Sequence, residues 1–294
     1  MSSIPVVFIL ASNYSGSHLL ARLLDGHSAC ASVGELRNLV KFLAQPEPNA
    51  SGTVADYHSN PLFTGLSQSP SADWHGMLLQ RIGAGEPGVT TLIDNSKRLD
   101  WLEQCLTEAD VSPRCIHLLR DPRALVRRWR AMFDIAEVRR VRLREARRQW
   151  RPSLLTVADA ELYGWRWLRE NAAVSAWLTQ HAYPAATLSY EELVTAPARA
   201  LTRVMSTVGL AFESGQLDLQ KRPERGTRKI GWPSDRAAIE ALRVDLRWRA
   251  DLSQVDQDNV AAMAPLRDYL ASLGYVMTEN GLQSCLLPGA AHTC

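Results

Sequence analysis

The sequence predicts an α/β fold, a three-layer sandwich with a central parallel sheet flanked by helices and a largely helical C-terminal half. Three observations predict it. Four short apolar runs, Val6–Ser12, Thr90–Asn95, Cys115–Arg120 and Ala186–Tyr190, read as strands. Helical patterns lie between them, and that alternation implies a parallel sheet whose functional crevice lies at the carboxyl ends of its strands. The chain has 294 residues, 46% hydrophobic and 22% charged, which is enough to bury a sizeable core and is neither disordered nor fibrous in composition.

The first run is too short for a membrane span and lacks the basic flank and cleavage pattern of a signal peptide, so it reads as a strand of a bacterial-type cytoplasmic protein. Helices follow at Leu19–Leu24 and Leu36–Leu43. Gln45–Ala72 is rich in Pro, Ser, Asn and Gly and reads as a mobile insertion beside the crevice. The second strand leads into a helix at Leu99–Ala109, and the third into one at Arg123–Phe133. Seven arginines crowd the stretch Arg139–Arg151; a solvated helix face accounts for them, with an acidic substrate or partner surface as the sharper alternative. Val157–Ala182 is helical, with Trp165, Trp167 and Trp177 as core positions. Glu192–Val208, Asp235–Trp248 and Asp256–Leu273 read as further helices, and Asn280–Cys294 as a frayed tail, leaving residues 1–279 as a single domain.

A net charge of +2 argues against a protein dedicated to coating nucleic acid. Only four of the 33 basic residues are lysines, Lys41, Lys97, Lys221 and Lys229, so each lysine is informative. The five cysteines are odd in number and show no paired spacing, which fits buried thiols rather than a disulfide framework or a zinc site.

After the first strand comes Ser12-Asn13-Tyr14-Ser15-Gly16-Ser17-His18 and then a helix start. A strand, a small-residue turn and a helix N-terminus leave unpaired amides around one concavity where the helix dipole favours an anion. The hydroxyls of Ser12, Ser15 and Ser17 can add donors, and Gly16 permits close approach. The loop is P-loop-like, but Gly16 is followed by Ser17 and His18 rather than by Lys and Ser/Thr, which disfavours a Mg-ATP kinase.

The third strand ends in Arg120-Asp121-Pro122-Arg123, placing Arg120 at the crevice to grip a phosphate or, alternatively, to pair with Asp121 or Glu35. Here the residues resemble the sulfotransferase superfamily, whose donor is 3'-phosphoadenosine 5'-phosphosulfate (PAPS), and in particular its bacterial members similar to tyrosylprotein and carbohydrate sulfotransferases. Gly34-Glu35-Leu36 looks like the family's general-base segment, and Asp94-Asn95-Ser96-Lys97 its Asp-Ser-Ser-Lys segment. Ser189-Tyr190-Glu191-Glu192-Leu193 is similar to its Tyr-Glu-Asp-Leu segment, and Arg228-Lys229-Ile230-Gly231 to its Arg-Lys-Gly loop. The order of these matches along the chain is the family's order.

The resemblance implies sulfuryl transfer from PAPS, as co-substrate and without a metal, to a hydroxyl of a carbohydrate, lipid, small molecule or peptide tyrosine. It implies Glu35 as general base, Lys97 as stabiliser of the transferring group, and Tyr14, Ser15, Gly16, Ser17 and His18 around the 5'-phosphosulfate. It further implies Arg120, Arg128, Arg228 and Lys229 at the 3'-phosphate and Tyr190 near adenine. Three positions depart from the family: Tyr14 stands for a cation, His18 for Ser or Thr, and Arg128 for a serine eight residues after Arg120. His18 either bonds the transferring group or packs, Tyr14 either donates its phenol or packs, and Arg128 either replaces the hydroxyl or points to solvent. A P-loop small-molecule kinase and a non-catalytic nucleotide-binding protein are the competing readings. No feature of the sequence names the acceptor or sets an oligomeric state.

Overall fold

The computed structural model describes residues 3–43, 60–219 and 242–285. Its centre is a five-stranded parallel sheet of β1 (Ile4–Ala11), β2 (Cys30–Gly34), β3 (Thr91–Lys97), β4 (Val111–Leu119) and β5 (Ala185–Ser189) in the order β2-β3-β1-β4-β5. The flanking helices are α1 (Ser17–Asp25), α2 (Leu36–Leu43), α3 (Trp74–Gly85), α4 (Leu99–Glu108), α5 (Pro122–Met132), α6 (Ile135–Arg148), α7 (Asp159–His181), α8 (Tyr190–Thr195) and α9 (Pro197–Val208). Helices α10 (Trp248–Asp251), α11 (Gln254–Ala262) and α12 (Ala264–Ser272) follow, then an antiparallel pair, β6 (Tyr275–Thr278) with β7 (Gly281–Ser284). No described helix is long and apolar enough to cross a membrane.

β1 takes the middle of the sheet because its run is apolar at every position, as a strand covered on both faces requires. Its alternating side chains divide between two layers. Val7, Ile9 and Ala11 pack with Leu20 and Leu23 of α1 and Leu201 and Val204 of α9. Val6, Phe8 and Leu10 pack with Leu78 of α3, Trp101 of α4 and Trp177 of α7. A third cluster joins Trp129 of α5 and Tyr163 and Trp167 of α7 to Trp248 and Leu266 of the C-terminal helices. The α/β three-layer arrangement and the core positions of Trp167 and Trp177 follow the sequence reading, whereas Trp165 is only partly buried against the third cluster, and each of the four predicted strands overlaps an observed one.

The differences have local causes. β2 is only five residues, too short and too poor in large apolar side chains to stand out in the sequence. The predicted helix 192–208 is two helices, because Pro197 starts a new one while Ser189 and Glu192 cap α8 reciprocally, which also makes Tyr190 the first residue of a helix rather than the end of a strand. The predicted helix 256–273 likewise breaks at Met263, just before Pro265. Of the predicted helix 235–248, residues 235–241 lie outside the described residues, and 242–246 run without helical structure up to α10. The predicted insertion 45–72 lies outside the described residues up to 59; Pro61–Phe63, Leu66–Gln68 and Ser71–Asp73 then form 3₁₀ turns that bury Phe63 and Leu66. Gly281–Ser284 is a paired strand rather than frayed tail. Cys30, Cys105 and Cys115 are buried thiols as expected, whereas Cys285 is disulfide-bonded.

One irregularity of the sheet shapes the crevice. Phe8 pairs with Asp94 but Leu10 pairs with Lys97, so β3 carries an extra residue at its carboxyl end. Such a bulge re-aims the side chains that follow it. Lys97, at φ 68°, takes the left-handed conformation there and turns toward the start of α2.

Candidate active site

The loop between β1 and α1 is shaped by two left-handed residues, Tyr14 (φ 72°) and Gly16 (φ 92°). A side chain at Gly16 would put its Cβ 2.6 Å from Cδ2 of Tyr190, so the residue satisfies both a backbone and a space requirement. Gly16 caps α1 without a side-chain hydrogen bond, leaving the first-turn amides to an incoming acceptor. Ser17 and His18 line the cleft. Ser15 is buried instead, with its Oγ lacking a partner, and Ser12 donates to Glu170 at 2.8 Å, so neither the Ser12 hydroxyl nor that of Ser15 is among the cleft-lining groups expected.

The end of β3 is held by Asp94, whose carboxylate accepts from the Ser96 amide at 2.9 Å and the Trp101 indole at 2.7 Å. The Arg37 amide donates to Ser96 Oγ at 3.1 Å, tying the start of α2 to the bulge. Glu35 and Lys97 are thereby brought into an ion pair that leaves both side chains mostly buried. His18 Nε2 lies 2.8 Å from Glu35 Oε1, and the Asn95 amide nitrogen lies 3.3 Å from His18 Nδ1. Since Glu35 can only accept when ionised, Nε2 carries the proton toward it and Nδ1 accepts from Asn95. The Asn38 amide donates to the other Glu35 oxygen. Burial alone would raise the Glu35 pKa, but the His18 hydrogen bond and the Lys97 ammonium outweigh it and hold the carboxyl at about 2. This is below the near-neutral value expected of a general base, because His18 donates a hydrogen bond to the carboxylate and the Lys97 ammonium sits beside it. Its side chain does not cap α2, the alternative role of an acidic residue at a helix start.

Arg120 leaves β4 with its carbonyl fixed by the Trp167 indole at 3.0 Å. Its guanidinium donates to the Tyr14 carbonyl at 2.6 Å and to Asp245 at 2.7 Å, and lies 4.5 Å over the Tyr190 ring. The ion-pair partner is therefore Asp245, neither Asp121 nor Glu35. Asp121 caps α5 by accepting from the Arg123 amide at 2.8 Å and pairs with the Arg123 guanidinium, which stacks 3.8 Å over Trp248. Arg128, on α5, lines the cleft with its guanidinium 4.8 Å over the Tyr14 ring while remaining exposed.

These groups meet in one cleft of about 930 Å³, a size suited to a nucleotide. It brings together Tyr14, Gly16, Ser17, His18, Glu35, Lys97, Arg120, Arg128 and Tyr190. Arg228 and Lys229 lie outside the described residues. Sequence reasoning missed Asn13, Asn38, Arg127 and the segment Leu242–Arg247, which roofs Arg120 with Arg243, Asp245 and Arg247. Nothing marks that segment in the sequence beyond its alternating charge, and the reading as a helix concealed it. Asp245 is held well below the usual carboxylate range by hydrogen bonds from Arg247 and by the Arg120 charge. Six permanent cations face two carboxylates around the cleft, which favours an anionic ligand. Among the described residues no cluster of His, Cys, Asp or Glu could hold a metal ion.

The profile described as "Sulfotransferase family" matches residues 5–214. Among solved structures, the sulfotransferase domain from the curacin biosynthetic pathway is similar at a TM-score of 0.51 and 20% identity, over 78% of this chain and 82% of that one. The sulfotransferase domain from the Synechococcus PCC 7002 olefin synthase is similar at a TM-score of 0.53 and 20% identity, over 89% of this chain and 94% of that one. At that identity the structural likeness speaks for the fold. Comparison with curated protein sequences gives no match.

Proposed function

The chain belongs to the sulfotransferase family, and on that premise we propose that it moves a sulfuryl group from PAPS to an acceptor hydroxyl by in-line displacement. The observation that carries the reading is the convergence, in one cationic cleft, of the α1 amides, the Arg120 guanidinium and the His18–Glu35–Lys97 cluster. The residues suit such a donor: uncapped first-turn amides offer donors at one end, and Arg120 with Arg128 offers cations at another. The donor supplies an activated sulfur whose bond to the phosphate oxygen breaks as the acceptor oxygen attaches.

Sulfuryl transfer spreads charge over equatorial oxygens, so positioning and electrostatic stabilisation carry most of the rate enhancement. Glu35 takes the acceptor proton. Its low pKa makes it a weak base while Lys97 is wholly its partner; an anionic group beside Lys97 shares the ammonium, loosens that hold and raises the proton affinity of Glu35. His18, fixed by Asn95, keeps the carboxylate oriented.

The decisive experiment compares thermal stabilisation by 3'-phosphoadenosine 5'-phosphate with that by Mg-ATP, and then follows label from PAPS in wild type and Glu35→Gln. The expected result is stabilisation by the adenosine bisphosphate alone, and binding without transfer in Glu35→Gln. Preference for Mg-ATP would replace the reading with a kinase, and undiminished transfer in the variant would remove Glu35 from the base role.

A further inference from the structure

A second recess, of about 330 Å³, opens beside the cleft and shares Asn13 and Lys97 with it. It is lined by six cations, Lys97, Arg98, Arg144, Arg148, Arg166 and Arg169, against three carboxylates. Two of the six come from the arginine-rich stretch, so its helix α6 turns part of its charge toward the site rather than only into solvent. The carboxylates are already committed. Asp100 accepts from Arg37 at 2.7 Å; Glu145 accepts from Arg169 at 2.6 Å; Glu170 accepts from Arg166 at 2.9 Å and from the Ser12 hydroxyl at 2.8 Å. Arg148 is exposed and has no ion-pair partner among the described residues, and Arg144 comes no nearer to Glu145 than 3.8 Å. NH1 of the largely buried Arg166 has no hydrogen-bond acceptor. The crowding is felt: burial and the nearby Arg166, Arg148 and Arg169 charges lower the Arg144 pKa, opposed only in part by Glu145.

We infer that this recess receives an oxyanion carried by the acceptor, so that the acceptor is a hydroxyl compound bearing a phosphate or carboxylate, with its hydroxyl presented at the Lys97 end toward Glu35. The inference rests on the sulfuryl-transfer reading and narrows its substrate class. An arginine cluster with spare N–H donors binds such groups through paired charge-assisted hydrogen bonds. Lys97, common to both recesses, marks where the acceptor and the donor meet.

The test titrates phenyl phosphate, 4-hydroxybenzoate and phenol onto the full chain saturated with 3'-phosphoadenosine 5'-phosphate, so that the donor cleft is occupied. The expected result is binding of one or both anions at least tenfold tighter than phenol, whichever anion prevails naming the group. The exposed pair Arg144→Gln/Arg148→Gln is expected to lose at least tenfold of that anion affinity with its melting temperature and its nucleotide affinity unchanged. Anions binding no better than phenol, or binding the double variant as well as wild type, would overturn the inference. Failure of the nucleotide itself to bind would instead overturn the sulfuryl-transfer reading, and the difference between wild type and double variant in anion binding would still decide the recess.

Discussion

The guanidinium of Arg128 lies 4.8 Å over the ring of Tyr14, joining two of the three positions at which this chain departs from its family's pattern. Where the resemblance leads one to expect a cation in the loop and a hydroxyl on the helix, the loop carries an aromatic ring and the helix supplies the cation. The charge is thus returned to the cleft from α5. Arg128→Ser is expected to weaken binding of 3'-phosphoadenosine 5'-phosphate about tenfold, and Tyr14→Lys in the same chain to recover most of the loss. A cation–π pair of this kind contributes on the order of 1 kcal/mol, so a double-mutant cycle by titration calorimetry resolves it. Strict additivity of the two substitutions would show that the residues act independently.

Gly16 couples the loop to the ring of Tyr190. Gly16→Ala demands φ 92° of a residue with a Cβ and drives that Cβ to 2.6 Å from the Tyr190 ring. The strain is on the order of 1–3 kcal/mol before the ring moves. The expected outcome is a lower melting temperature together with loss of nucleotide binding, whereas Tyr190→Ala combined with Gly16→Ala recovers part of the stability but not the binding. Gly16→Ala with wild-type stability would mean that the loop relaxes freely.

The sheet, its helices and most of this cleft were legible because they rest on short-range signals. A continuous apolar run specifies β1, and small residues before a helix specify the anion loop. Gly34-Glu35 and Asp94-Asn95-Ser96-Lys97 announce themselves as local segments, although only the β3 bulge and the Arg37–Ser96 hydrogen bond explain why Glu35 and Lys97 touch. What escaped the sequence depends on long-range pairing. Asp245 gains its role by meeting Arg120 across 125 positions of chain, and no periodicity encodes that encounter. The low pKa of Glu35 is equally a product of three segments converging on one carboxylate.

Two glutamates set opposite limits on stability against pH. Burial, with Asp121 beside it, pushes Glu191 up to about 8 from 4.5. Its folded form therefore keeps a proton that the unfolded chain releases, so its contribution is complete below about pH 4.5 and is lost as pH rises to about 8. Glu35, held at about 2, contributes in the reverse sense: its stabilisation is present above about 4.5 and disappears as pH falls through about 2. Urea unfolding between pH 5 and pH 8 is expected to lose roughly 1 kcal/mol per pH unit in wild type relative to Glu191→Gln. Parallel curves for the two proteins would show that Glu191 ionises in the folded state as it does in the unfolded one.

Asp245 occupies the guanidinium that the proposed 3'-phosphate needs. Its carboxylate accepts from Arg120 at 2.7 Å and is itself clasped by Arg247, so a phosphate entering this end must displace or share an anion already in place. Two like charges contending for one guanidinium repel each other, and removing the resident one relieves the competition. Asp245→Asn is therefore expected to bind 3'-phosphoadenosine 5'-phosphate several-fold more tightly than wild type, with a larger loss of affinity as salt is raised because the site is then more positive, while Arg120→Ala binds it at least tenfold more weakly. Calorimetric titrations at two ionic strengths measure both. Weaker binding by Asp245→Asn would assign the carboxylate the opposite task, that of holding Arg120 in its phosphate-gripping pose, and would mean that Arg120 uses its remaining N–H groups for the ligand without releasing Asp245.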